Sequence, residues 1–207
     1  MKEYVETIRL EQARFHLLPL HQQRMAATIR EAYGDQLGVP SLEAALTSAI
    51  EIPDGAIYKC RVVYGTDIRK IEILPYSPRK VSSLRLVTAP SGLDYHLKTT
   101  DRTALSALAA EKGDYDEVII VRDGLVTDTS YTNLLFKSAE GMLTPRTPLL
   151  AGTMRRRLLD EGLATPADIT PSDLLPGNKL GITHAILINA MMPPASAPSI
   201  PISQILP

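Results

Sequence analysis

The 207-residue chain has one cysteine, Cys60, so no disulfide can form within it. A lone cysteine also cannot build a zinc or iron–sulfur site by thiolates alone. Neither charge sign is in excess: 22 Lys and Arg stand against 23 Asp and Glu, a formal net charge of -1. That balance argues against a strongly basic nucleic-acid binder. No apolar run approaches the ~18 residues of a membrane helix. Met1-Lys2-Glu3-Tyr4 opens no apolar signal-peptide core. These absences predict a cytoplasmic protein with no nucleic-acid or membrane partner. Also missing are a βαβαβ rhythm with a Gly-rich turn, a Walker-type phosphate loop, a metal-spaced His pair, a Gly-x-Ser-x-Gly elbow and any internal repeat. No metal is expected.

What is present is ordinary globular material, 44% hydrophobic and 22% charged, long enough for one large domain or two small lobes. Tyr4 to Leu10 alternates like a strand, with a turn at Gln12-Ala13-Arg14 and a short return from Phe15 to Leu18. Leu20 to Ala32 reads as a helix ended by Gly34, and Ser41 as the N-cap of a second helix to Ile50. Ala56–Tyr64 and Asp67–Leu74 form a hairpin by spacing. Residues 75–93, with three prolines, read as the connection between lobes, and Val81–Thr88 as a strand. Asp101 can cap a helix through Ala110. Tyr115–Arg122 and the strand beyond Asp123-Gly124 make a second hairpin, with a break near Asp128-Thr129-Ser130 before Asn133–Phe136. Gly152–Glu161 is a helix, Ile182–Ile188 a last strand, and the proline-rich tail is expected over the surface. Hairpins in each half with short helices between them predict an α+β fold.

Some residues in this frame have chemistry beyond packing. Lys98 precedes a helix, where lysine is ordinarily solvated; a partly neutral lysine can instead form a Schiff base. Asp128 follows a strand, where aspartate usually turns the chain; between apolar strands an unpaired carboxylate is costly and calls for a cation. Gly152 opens a helix whose first N–H groups, with Thr153 and Met154, could hold an anion, or it merely permits close packing. Asn189 and Ala190 end a strand and could offer further N–H groups, or a plain polar turn. Arg24 is either a solvated helix residue or a bidentate phosphate ligand. The lone His21 reads as structural or surface.

In order along the chain, these islands resemble the class IV aminotransferase family, pyridoxal-phosphate enzymes of D-amino-acid aminotransferase type. Glu6-Thr7-Ile8-Arg9 is similar to the family's Phe-Glu-Thr-x-Arg strand, with Val5 in place of Phe, and His21-x-x-Arg24 to its His-x-x-Arg. Lys98 falls at the Schiff-base lysine, with Arg102 four residues on. Val126-Thr127-Asp128-x-x-x-x-Asn133-Leu134 is similar to Val-Thr-Glu-x-x-x-x-Asn-Leu, with Asp for Glu. Thr144-Pro145-Arg146 and Gly152-Thr153-Met154-Arg155 follow. Asn189-Ala190-Met191-Met192-Pro193 resembles the Asn-Ala-Leu-Met-Pro of the family's 4-amino-4-deoxychorismate lyase branch. The Gly-rich stretch common near the second hairpin is replaced by Tyr64-Gly65-Thr66.

The resemblance implies a two-lobe fold, 1–78 and 83–207, with Lys98 in the second lobe and pyridoxal 5'-phosphate held between the lobes. It implies Lys98 as the catalytic lysine, Asp128 facing the ring nitrogen, and Arg24, Gly152, Thr153, Met154, Asn189 and Ala190 around the phosphate. Tyr64 and Met191 would contact a small-molecule substrate, in a homodimer. The implied activity is the lyase that releases pyruvate and 4-aminobenzoate in folate synthesis. A D-amino-acid or branched-chain aminotransferase, or a non-catalytic relic of the fold, is the alternative.

Overall fold

The computed structural model describes residues 2–48 and 56–206. The chain divides into two compact units, Met1–Pro78 with Leu97–Asp101, and Arg79–His96 with Arg102–Pro207. Class and architecture are α+β, as the sequence predicts. Among the described residues no helix is long and apolar enough to cross a membrane.

The first unit is built on an antiparallel sheet in the order β2-β1-β3-β4. Strand β1 (Tyr4–Glu11) turns through Gln12 and Ala13, both at positive φ, into β2 (Arg14–Phe15). The return strand is thus two residues long, because Leu17 already adopts a left-handed conformation at the entry to α1 (Leu18–Tyr33). Pro19 suits that first turn, where its missing N–H costs nothing. Gly34, at φ 100°, closes the helix by donating its N–H to the Arg30 carbonyl. Helix α2 (Leu42–Ser48) begins at Ser41, whose Oγ accepts the Ala44 N–H at 3.2 Å; the expected end at Ile50 lies outside the described residues. Strands β3 (Tyr58–Tyr64) and β4 (Ile68–Pro75) form the expected hairpin. Tyr4, Ile8, Cys60, Val62 and Tyr64 project from one sheet face onto Met25 and Ile29 of α1 and Leu42 and Leu46 of α2. Each such fully buried apolar side chain contributes roughly 1.5–3 kcal/mol.

The second unit opens with β5 (Leu84–Thr88), which crosses through α3 (Thr103–Ala110) to lie parallel to β6 (Glu117–Arg122). Asp101 is not the cap of α3. Arg102 occupies that position, with no side-chain cap bond. Asp123 and Gly124, at φ 53° and 78°, make the hairpin turn into β7 (Leu125–Thr129). The expected break falls slightly later, over residues 130–132: β7 runs through Asp128 and Thr129, and the chain resumes as β8 (Asn133–Ser138) at Asn133 as expected, pairing back on Asp128. Strand β9 (Gly141–Pro145) is antiparallel to β8. Helix α4 (Thr153–Asp160) then leads to the short β10 (Thr165–Ala167), parallel to β9. Strand β11 (His184–Ile188) pairs with β8.

The proline-rich tail does not merely cover the surface. It contributes β12 (Ser199–Pro201) beside β11 and β13 (Ile205–Leu206) beside β5, burying Ile200 and Ile205. Alternate residues of β6 serve two cores. Ile119 packs with Phe136, Leu134 and Leu187, while Val118 and Ile120 pack with Leu105 and Leu108 of α3. A strand buried on both faces reads as the unbroken apolar run Val118–Val121.

Candidate active site

Two constellations hold the predicted residues, one in each unit. In the first unit, β1 places Glu6 on the same face as Tyr4, Ile8 and Leu10, towards the core. Residues three apart on a helix share a face, so α1 presents His21 and Arg24 together. Glu6 is fully buried and its carboxylate is held from three directions. The Arg24 Nε donates to Oε1 at 2.9 Å, Nη2 donates to Oε2 at 2.5 Å, and His21 Nδ1 lies 2.5 Å from Oε2. Burial alone would push this carboxyl up; the Arg24 charge and the His21 hydrogen bond hold it down to about 2. His21 is held below its ordinary value, first by burial and then by the nearby positive charges of Arg24 and Lys98, against the pull of Glu6. An ionised Glu6 can only accept, so neutral His21 carries its proton on Nδ1. His21 is therefore a buried partner of Glu6. Sequence reading missed that coupling, although a glutamate at a core-facing position of β1 was its signal.

Lys98 belongs to this first unit, not to the second as expected. Strand β2 pairs only with the far end of β1, at Leu10 and Glu11. The open edge near Tyr4 is filled by Leu97–Asp101: Val5 N–H donates to the Lys98 carbonyl at 2.9 Å, Thr100 N–H donates to the Glu3 carbonyl at 2.9 Å, and Tyr4 pairs with Thr99. These backbone bonds fix a half-buried lysine whose charge reaches His21.

Tyr64 does not fit a substrate-contacting role. It is fully buried, with its ring 6.0 Å from that of Tyr4, and burial raises its phenol pKa, with the Glu6 charge adding to the rise. Tyr64→Phe is expected to change stability by less than about 1 kcal/mol and to leave KM unaltered. A severalfold rise in KM would return Tyr64 to the substrate site.

In the second unit the Asp128 carboxylate is buried. Its Oδ1 accepts from Asn133 Nδ2 at 2.8 Å and its Oδ2 from the Leu150 N–H at 2.9 Å. Burial pushes this carboxyl up to about 6, moderated by those hydrogen bonds and by the Arg155 charge. Asn133 also donates to the Leu150 carbonyl at 2.9 Å. Gly152, the N-cap of α4, lies so close that a Cβ there would sit 1.9 Å from Asn133 Oδ1. The amides of the first turn of a helix have no intrahelical acceptor, and in α4 they belong to Thr153, Met154 and Arg155. Arg155 itself is buried and structural, donating to Thr144 Oγ1 at 3.2 Å and the Pro145 carbonyl at 2.7 Å. Arg146 is exposed and paired with Asp168.

Asn189 does not offer its N–H as expected. That group donates to the Met192 carbonyl, and the Asn189 side-chain oxygen accepts from the Met191 and Met192 amides at 2.9 and 3.1 Å. Asn189 closes a turn instead, while Ala190 is half-buried and Met191 buried within it. Arg102, four residues after Lys98, and Glu117, which the sequence did not single out, surround the turn after β7. Arg102 donates to the Ser130 carbonyl at 2.8 Å, and the buried Glu117 carboxylate lies 3.4 Å from the Ser130 amide.

The α+β architecture, with a buried network around Lys98 and Arg24 in one unit and a buried acid beside a helix start in the other, is that of the class IV aminotransferase fold. The family's sequence profile, described as amino-transferase class IV, matches residues 3–200, and the chain belongs to this family of pyridoxal-phosphate enzymes. It is 32% identical over 184 residues to an uncharacterised protein of Haemophilus influenzae, covering 87% of this chain and 96% of that one. The crystal structure of a "putative 4-amino-4-deoxychorismate lyase" from Haemophilus somnus 129PT is 32% identical, with a TM-score of 0.81 over 92% of this chain and 97% of that one. A PLP-bound hypothetical aminotransferase from Mycobacterium tuberculosis shares the fold at 19% identity, with a TM-score of 0.75 over 99% of this chain and 80% of that one.

The donor set fits such a cofactor. Both oxygens of the buried Asp128 are hydrogen-bonded by neutral amides. The Arg155 charge acts on it without a hydrogen bond among those described, and a protonated pyridine nitrogen would be a closer cationic partner. In the same unit α4 opens with a first turn of amides, a feature suited to an anion; in the other unit Arg24 is a fixed positive charge held by Glu6. Among the described residues no group of three His, Cys, Asp or Glu side chains could hold a metal ion.

Proposed function

We propose that the chain is a pyridoxal-phosphate-dependent 4-amino-4-deoxychorismate lyase that releases pyruvate and 4-aminobenzoate. The single observation that carries the cofactor assignment is the buried Asp128 carboxylate, whose hydrogen-bonded partners are all neutral. The lyase over the aminotransferase is supported by the Asn189-Ala190-Met191-Met192-Pro193 segment and by the similarity to the Haemophilus somnus protein.

When bound, pyridoxal phosphate supplies an electron sink for charge developing at the amine-bearing carbon. In this proposal Lys98 would hold the cofactor through Nζ, and the same amine, when free, would be the base for the proton on that carbon. The resulting ammonium is the acid for the departing enolpyruvate. Asp128 would face the ring nitrogen and hold its proton. Arg24, oriented by Glu6, offsets the phosphate charge. Lyase chemistry follows if loss of the ether oxygen, which aromatises the ring, outruns reprotonation.

The test is to incubate the purified protein with aminodeoxychorismate, assay pyruvate and 4-aminobenzoate, and record the absorbance spectrum. Equimolar release of both products is expected. Conversion of the cofactor to its amine form by amino acids, with 2-oxoglutarate as acceptor and no 4-aminobenzoate, would instead mark an aminotransferase.

A further inference from the structure

The amide of Asn133 makes two contacts that no other side chain in the second unit duplicates among the bonds described above. One hydrogen goes to Asp128 on β7 and the other to the Leu150 carbonyl, two residues before the N-cap of α4. Its oxygen packs against Gly152 so tightly that any Cβ would collide. Gly152 itself has an ordinary backbone, φ −70° and ψ 144°, so alanine would be acceptable there but for Asn133. The Leu150 amide returns a bond to Asp128, which closes a ring of contacts through β7, β8 and the segment entering α4.

We infer that Asn133 is a positioning residue: its side chain fixes the Asp128 carboxylate and the start of α4 relative to each other. This rests on the cofactor reading for its purpose, though not for its geometry. An acid that must meet a ring nitrogen and a helix start that must meet a phosphate bind one rigid molecule, so the spacing between them has to be set beforehand. Asn133 sets it with donors, and the glycine at 152 is required because of Asn133 rather than because of backbone freedom. Nothing in the inference requires Asn133 to touch the cofactor.

Two measurements on the full chain test this. Asn133→Leu keeps the approximate shape and adds no charge but removes both donors. Pyridoxal phosphate titrated into this variant should show an apparent Kd about 10–100-fold weaker than wild type, the consequence of leaving buried acceptors unpaired. Unchanged affinity would overturn the inference. The second measurement is a stability cycle by chemical denaturation, with no cofactor needed. Gly152→Ala should strongly destabilise the wild-type chain yet cost little in an Asn133→Ala background, where the collision is gone. Equal cost in both backgrounds would overturn the inference. Asn133→Ser opens the same space and replaces Asn133→Ala in the cycle if the latter does not fold. If wild-type protein binds no pyridoxal phosphate, the proposed function fails, while the stability cycle still decides the role of Asn133.

Discussion

Lys98→Arg is expected to lower turnover by about 1,000-fold or more, in line with the loss of a positioned general base, while the chain remains folded. Arginine keeps the positive charge that acts on His21. The backbone bonds between Val5 and Lys98 and between Thr100 and Glu3 do not involve the side chain. What is lost is a nitrogen that can give up its proton, because a guanidinium stays charged at any ordinary pH. Circular dichroism should therefore match wild type, while product release disappears. Borohydride reduction of the loaded wild-type protein should fix the cofactor to one lysine. The same treatment of Lys98→Ala should leave none fixed. A reducible adduct surviving in that variant would move the attachment to another lysine and remove the basis of the mechanism.

Glu6→Ala should cost about 3–5 kcal/mol, because a charge balanced inside the fold loses its counter-charge. For a chain of this size that is roughly 6–20 °C in thermal midpoint. The pH dependence identifies the cause. A carboxyl held at about 2 in the folded chain, against 4.5 unfolded, makes the folded state more favourable wherever Glu6 is ionised. Because the folded value is depressed, this contribution is present above about pH 4.5 and lost as pH falls through about 2. His21, also depressed, adds loss in the same direction below its ordinary 6.5. Asp128 acts oppositely, since its raised value contributes below 3.8 and that contribution is lost as pH rises through about 6; this is common to both proteins. Glu6→Gln, which removes the titration but keeps the shape, should therefore lack the steep acid loss below pH 4.5. A wild-type acid profile in Glu6→Gln would show that Glu6 is not the group responsible.

The elements that were legible are those specified locally. Alternation gave β1, the Asp123-Gly124 pair gave the β6–β7 turn, and Gly34 and Gly152 marked helix ends at the right positions. Motif order then led to the family, since spacing along the chain survives when single residues diverge. What escaped depends on distant partners. Asp101 looked like a cap because aspartate favours that position, but the helix starts two residues later and takes Arg102 there. The tail read as covering because of its prolines, though Ile200 and Ile205 lie in two short strands that pair with β11 and β5. Asn189 read as a backbone donor, and its own side chain spends the local geometry on a turn. Lys98 was assigned to the wrong unit because nothing near it in sequence announces an open edge some ninety residues earlier on β1.

That last contact has a consequence for how the chain is made. During synthesis β1 emerges early, and its edge at Glu3 and Val5 stays bare until Thr100 has left the ribosome. Until then the nascent first unit presents unpaired backbone groups, an invitation to wrong pairing. A fragment cut at Pro78 would keep that condition permanently. It should aggregate through that bare edge more readily than the whole chain, and supplying residues 97–101 as a separate peptide would be the way to cure it.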